Sequence, residues 1–234
     1  MCTLTFIPSS TKEVIITSNR DEHISRGDSA FPVSVAKKQG EVYFPQDPKA
    51  GGTWLAASSK GLVAVLLNGA FEKHKHQPPY RLSRGILVLD SFDYKSINEF
   101  RTAYDFTNIE PFTLVQFDTH QNHILELRWD GENQFFTPLE YDQPHIWSSA
   151  TLYSQEIRTE RNRWFSEWIE NSDLNPEKML VFHKFGGNDT LNSITMDRGN
   201  GLQTVSISQL VGNGNGFDFT HYNLLKHTSK SKNI

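Results

Sequence analysis

The residue with the most chemistry within reach is the second. Cys2 is the chain's sole cysteine, and removal of Met1 would leave a thiol and a free α-amine on one residue. In peptides a thiol titrates near roughly 8.5 and an α-amine near roughly 7.7–8.0. Both lie within reach of neutral pH, so the amine can take the thiol proton directly or through a water. Nucleophile and base then share one residue. Downstream, Asn19-Arg20-Asp21-Glu22 supplies a guanidinium and two carboxylates, groups that tune a neighbouring thiol or ammonium. The plainer alternatives are a buried, unreactive cysteine and a solvated strand end.

Two strands must bring these groups together. Thr3 to Ile7 alternates as a strand does, and Glu13 to Ser18 carries the β-branched Val14, Ile15 and Ile16. Turn chemistry at Pro8-Ser9-Ser10-Thr11 separates them, which predicts a β-hairpin. If Ile7 pairs with Val14, Cys2 faces Asn19; a shift of one residue sets Arg20 there instead. Further strands are predicted at Thr53–Ala57, Leu62–Leu67, Phe112–Phe117, His123–Trp129, His145–Ser148, Ile194–Asp197 and Thr204–Ser208, with a tight hairpin at 129–133. Helices are predicted over Ser83–Phe92, Lys95–Ala103, Ser154–Asn171 and Asn175–Phe185. In the third of these, Ile157, Arg161, Trp164, Phe165, Trp168 and Ile169 fall on one amphipathic face. Helices grouped between sets of strands indicate an α+β fold rather than alternating βαβ units. One domain over residues 1–227 is expected, with the polar segment from Thr228 frayed.

Composition narrows the function classes. With 234 residues, 12% aromatics and a net charge of −4, the chain is a folded one, not a disordered one. The acidic balance argues against nucleic-acid or anionic-membrane partners. No apolar run approaches the ~18 residues of a membrane-spanning helix, and the opening residues lack the basic and apolar regions of a secretory signal. A cytoplasmic location without membrane insertion is expected. A single cysteine forms no intrachain disulfide and builds no cysteine zinc site. His74-Lys75-His76 reads as a mobile surface loop, and the Gly-rich run at 212–216 as a turn, since it lacks the Lys-Ser/Thr of a phosphate loop. No metal and no cofactor are expected.

Cys2 followed by Asn19-Arg20-Asp21-Glu22 resembles the signature of the NRDE family, whose eukaryotic members are called transport and Golgi organisation protein 2. Gly51-Gly52-Thr53-Trp54-Leu55, Lys60-Gly61-Leu62 through Leu67-Asn68, and Ser83-Arg84-Gly85 resemble further family segments, in order. That family in turn resembles amino-terminal-nucleophile hydrolases of the cholylglycine hydrolase and penicillin V acylase type. The resemblance implies an αββα sandwich of two antiparallel sheets flanked by helices, and a cysteine that attacks a non-peptide amide through a thioester. It implies Cys2 as nucleophile, Asp21 as the acid that orients its amine, Asn68 as oxyanion donor and Arg20 as a tuning charge. Asn19, Trp54 and Ser148 would touch substrate. The chain departs from the hydrolases in having Ser148 and Ser149 where a second oxyanion Asn is expected, and Ser18 where their Arg lies. Arg198 is the candidate for a later arginine, with a turn residue as the alternative. The resemblance also implies a second reading, a non-catalytic carrier of haem or lipid in which Cys2 or a His would meet haem iron.

Overall fold

The computed structural model describes residues 3–8, 14–212 and 216–234. Cys2, the turn predicted at 8–11 beyond Pro8, and the middle of the Gly-rich run at 212–216 lie outside the described residues. In chain order the strands are β1 (Thr3–Pro8), β2 (Val14–His23), β3 (Ala30–Lys37), β4 (Gly40–Gln46), β5 (Leu55–Ser58), β6 (Leu62–Asn68), β7 (Phe112–Asp118), β8 (His123–Trp129), β9 (Gln134–Leu139), β10 (His145–Ser148), β11 (Leu202–Gly212), β12 (Phe217–Asn223) and β13 (Thr228–Asn233). The helices are α1 (Arg84–Asp90), α2 (Ile97–Ala103), α3 (Gln155–Glu170) and α4 (Pro176–Phe185). Two compact units contain them, one formed by residues up to Gly27 and from Asp142 to Asn233, the other by Asp28–Tyr141.

The first unit is an antiparallel sheet in the order β10-β1-β2-β11-β12-β13. Thr3 pairs with Asn19 and Ile7 with Ile15. This is the second of the two registers open to the hairpin, one residue away from an Ile7–Val14 pairing. Side chains alternate across a strand. Ile7 and Ile15 accordingly join Trp164, Phe165, Met179, Phe182 and Ile194 in one apolar cluster, so α3 and α4 cover the odd-numbered face of β1 and β2. Local sequence fixes where these helices start. The Ser154 side chain caps α3 and that of Asn175 caps α4, with Pro176 in the first turn.

The second unit is an antiparallel sheet in the order β3-β4-β5-β6-β7-β8-β9. Leu62, Ala64 and Leu66 of β6 pack with Phe112, Leu114, Leu127 and Trp129 against Leu87, Val88 and Phe100 of α1 and α2. The GGTW-like and SRG-like segments meet in this unit. A Cβ on Gly52 would stand 2.4 Å from the Gly85 carbonyl carbon, and one on Gly85 would stand 2.9 Å from the Thr53 nitrogen. The Thr53 N–H donates to the Gly85 carbonyl at 3.1 Å. Backbone touches backbone here, with no side chain able to yield. Gly52→Ala is therefore expected to cost about 1–3 kcal/mol, measured as a lower urea midpoint at unchanged slope; an unchanged midpoint would contradict the close approach.

Two sequence expectations need correction. The stretch Ile194–Asp197 is not a strand; only an isolated bridge joins Asp197 to Gln203. Its main chain is taken elsewhere, with the Ile194 N–H donating to the Gly186 carbonyl after α4. The segment from Thr228 is not frayed but forms β13, paired with β12 from Asp218↔Asn233 to Asn223↔Thr228. Ladder bonds need no apolar side chains, so a strand exposed at a sheet edge leaves no hydrophobic alternation to read. Strands β3, β4, β9 and β12 are further elements, and Pro32, Pro45 and Pro138 lie within three of them. No helix among the described residues is long and apolar enough to cross a membrane.

Candidate active site

The site is anchored by Asp21 near the end of β2. Its carboxylate is buried and receives two hydroxyls. Tyr153 Oη donates to Oδ2 at 2.7 Å, and Thr204 Oγ1 donates to Oδ1 at 2.5 Å. The carboxylate oxygen accepts, so the Thr204 hydroxyl gives it its proton, while Thr204 Oγ1 itself accepts the Met196 N–H at 3.0 Å. A register shift between Thr204 and Ser206 turns Thr204 toward Asp21. Extra residues of this kind re-aim a side chain in an otherwise regular ladder.

Behind Asp21 stands a fully buried cation. Arg161 of α3 is 0% exposed. It donates to the carbonyls of Asn192 (2.9 Å) and Ser193 (2.5 Å) and to Thr3 Oγ1 (2.5 Å). Its guanidinium also lies 3.5 Å from the centroid of the Tyr153 ring, a stacked cation–π contact. Arg198 approaches the same ring at 5.7 Å and donates to the Leu152 carbonyl at 3.0 Å. It thus holds the loop that carries Tyr153.

Arg20 takes the opposite face of β2. It is buried and lies in register with Ser206, and its strand face continues through Ser18, Ser208 and His221, all buried. Ser208 Oγ and His221 Nδ1 are 2.9 Å apart. Burial pushes the His221 ring down to about 4, helped by the charges of Arg20 and Lys230. The ring is therefore neutral at physiological pH.

Alternation also decides the fate of two residues expected at the substrate. Asn19 shares the helix-covered face with Thr3 and is 0% exposed. Its amide nitrogen donates to the carbonyls of His183 (3.0 Å) and Ile194 (2.8 Å), which leaves neither amide proton for a ligand. Its oxygen lies 2.6 Å from His183 Nδ1. Asn19 ties β2 to α4. Ser148, paired with Thr3, faces the same side, and its buried hydroxyl has no hydrogen-bond partner among the described residues.

The Asn19 contacts fix the state of His183. With the amide nitrogen turned to two carbonyls, its oxygen must accept, so Nδ1 of His183 carries the proton. Nε2 then accepts from Thr5 Oγ1 at 2.8 Å. Burial first, and the nearby Arg161 charge second, lower this ring to about 3. Both buried imidazoles therefore have folded values below the ~6.5 of an unfolded histidine. Between those values the unfolded chain binds more protons, so stability falls as pH drops. The expected loss is about 1.4 kcal/mol per pH unit per ring, or nearly 3 for the two together at the steepest. Urea unfolding from about pH 6.5 down to about pH 4.5 reads this slope directly; a flat profile would contradict the neutral, buried rings.

Asn68 and Trp54 belong to the second unit. Asn68 ends β6 in register with Phe112. The ladder alternates its amides: the Gly69 N–H goes to the Pro111 carbonyl at 3.0 Å, and the Leu66 N–H to the Trp54 carbonyl at 2.8 Å on the other side. The Asn68 main-chain N–H points to that same β5 side. Trp54 is buried, with its carbonyl holding β6 in place. His74 Nε2 and His76 Nδ1 both approach Glu110 Oε1, at 3.0 and 3.3 Å, and Arg84 binds Oε2 at 3.0 Å. The loop read as mobile is therefore tied to Glu110. Among the described residues no group of three or more His, Cys, Asp and Glu is placed to hold a metal.

Sequence reasoning missed Tyr153, Thr204 and His183 as members of this network. Arg161 carried a signal, a charged residue on the apolar face of a helix, which marks either a helix edge or a buried cation with dedicated partners.

The architecture has solved counterparts. A penicillin V acylase from Agrobacterium tumefaciens matches over 100% of this chain and 86% of its own, with TM-score 0.59 and 10% identity. A Caenorhabditis elegans orthologue of N-acylethanolamine-hydrolyzing acid amidase matches over 89% and 92%, with TM-score 0.61 and 12% identity. A conjugated bile acid hydrolase from Clostridium perfringens, solved in a mutant form, matches over 100% and 97%, with TM-score 0.55 and 10% identity. Likeness at this identity shows the fold, the α+β architecture expected from the sequence. No curated protein matches the chain in sequence. The family model described as Transport and Golgi organisation 2 matches residues 1–209, about nine-tenths of the length, from β1 into β11, whose Thr204 donates to Asp21, and the chain belongs to that family.

Proposed function

We propose that the protein is an amino-terminal cysteine hydrolase that cleaves a carbon–nitrogen amide bond of a small molecule. The observation that carries this reading is Asp21, a buried carboxylate with both oxygens engaged by hydroxyl donors, near the end of the strand that pairs with β1. The ladder is antiparallel and its last described pair is Thr3↔Asn19. Arg20 and Asp21 follow Asn19 along β2, beyond that last pair. Two features support the reading: membership of a family whose fold is shared with amide hydrolases, and a sole cysteine at the position where such a nucleophile belongs.

In this mechanism the α-amine takes the thiol proton and the sulfur adds to the amide carbonyl. Asn68 is the oxyanion donor that the family resemblance implies. The ammonium returns the proton to the departing amine, the C–N bond breaks, and a thioester remains. Water, deprotonated by the same amine, then releases the acid and restores the thiol. Asp21 holds the amine in place throughout, and Arg20 lends positive charge to the thiolate.

Two measurements on the purified protein test this. Intact mass reports whether Met1 is gone, and condensation with a cyanobenzothiazole reports a free vicinal aminothiol. A panel of penicillin V, an N-acylethanolamine and a conjugated bile acid, one amide for each solved counterpart, then tests turnover. Loss of Met1, condensation and release of an amine from any one of them are the expected results. Retention of Met1 would remove the base and overturn the reading.

A further inference from the structure

We infer that Tyr153 is a positioning residue for Asp21, clamped by Arg161, and that it sets how strongly Asp21 holds the proton of the Cys2 amine. The inference rests on the hydrolase reading above and adds to it a residue outside every motif that suggested that reading.

A carboxylate has about four acceptor positions, two on each oxygen. The Tyr153 hydroxyl takes one on Oδ2 and the Thr204 hydroxyl one on Oδ1. The charge that Asp21 presents to an ammonium is therefore already shared with these two donors. Tyr153 cannot swing away, because it is 1% exposed and the Arg161 guanidinium stacks on its ring at 3.5 Å. A cation over the ring face also draws electron density from the phenol and strengthens its hydroxyl as a donor. The same Arg161 donates to Thr3 Oγ1, the side chain next along from Cys2. One buried cation thus braces both the residue beside the nucleophile and the donor to its amine-holding acid.

The other charges around this pair are few. Arg198 faces the Tyr153 ring from the turn before β11, Arg20 adjoins Asp21 but occupies the opposite strand face, and His183 on α4 stays neutral. The hydroxyls of Tyr153 and Thr204 each donate to one oxygen of Asp21 and so share its charge.

Condensation with a cyanobenzothiazole reads the effect without a known substrate. The Cys2 thiolate adds to the nitrile carbon, the free amine closes the ring and ammonia leaves, so the rate depends on loss of a proton from both groups, and negative charge nearby opposes both. Tyr153→Phe keeps the stacked ring and deletes the hydroxyl. Asp21 then concentrates its charge on the ammonium, and the pH midpoint of condensation is expected to rise by at least about 0.5 unit. Thr204→Val removes the matching donor on the other oxygen and is expected to shift the midpoint the same way, whereas Thr204→Ser restores the wild-type value. Thr204→Val also reads the effect should Tyr153→Phe not fold. An unchanged or lowered midpoint in a folded Tyr153→Phe protein would overturn the inference and leave Tyr153 a packing residue. Failure of the wild type itself to condense is a separate result: it removes the hydrolase reading and this inference with it.

Discussion

Arg161→Ala is expected to lower the unfolding free energy by about 3–5 kcal/mol. The side chain is 0% exposed and makes three hydrogen bonds, to two carbonyls and a hydroxyl, none of them to a carboxylate. Truncation leaves Ser193 O and Thr3 Oγ1 buried without their donor and Asn192 O half-buried without its own, and opens a cavity under the Tyr153 ring. Each orphaned acceptor costs about 1–3 kcal/mol, and relaxation recovers part of the sum. Arg161→Met separates volume from hydrogen bonding. It fills most of the space and should recover the cavity part while leaving the carbonyls unsatisfied. Urea unfolding at neutral pH measures both; a loss below about 1 kcal/mol for alanine would mean that water replaces the guanidinium.

Cys2→Ser is expected to reduce amide turnover by at least about a thousandfold, with no change in thermal unfolding. Serine keeps an α-amine and a nucleophilic oxygen, but its hydroxyl is far less acidic than a thiol, so the same amine cannot generate the nucleophile at neutral pH. Removing one member of a catalytic unit typically costs most of what the whole unit supplies. The comparison uses whichever amide the wild type hydrolyses, with intact mass confirming Met1 removal in both proteins. Wild-type turnover from Cys2→Ser would place the nucleophile elsewhere and end the mechanism proposed here.

The hairpin of β1 and β2 was legible because Val14, Ile15 and Ile16 are strand formers, and β10 was read to the residue because His145–Ser148 lies between Pro144 and small residues. The helix starts at Ser154 and Asn175 were legible from capping chemistry. Ile194–Asp197 was misread because its apolar residues alternate while its main chain bonds to the end of α4, and local pattern carries no record of where a distant carbonyl lies. The edge strand β13 was missed for the opposite reason, since its bonds are all backbone and its side chains are exposed.

The site divides along the same line. Residue type and order alone put Cys2, Arg20 and Asp21 forward as one candidate chemistry, because a thiol and the charges that would tune it are legible from residue type and a short hairpin. The sequence left the register open by one residue, and that one residue decides which side chains share a face. Only the tertiary structure turned Asn19 toward His183 and away from any ligand, and only it brought Tyr153 and Thr204, from segments far apart in the chain, onto the two oxygens of Asp21. A hydrogen bond across more than a hundred residues leaves no periodicity and no spacing behind. It exists because burial makes an unpaired carboxylate costly, and the folded chain has to find it partners.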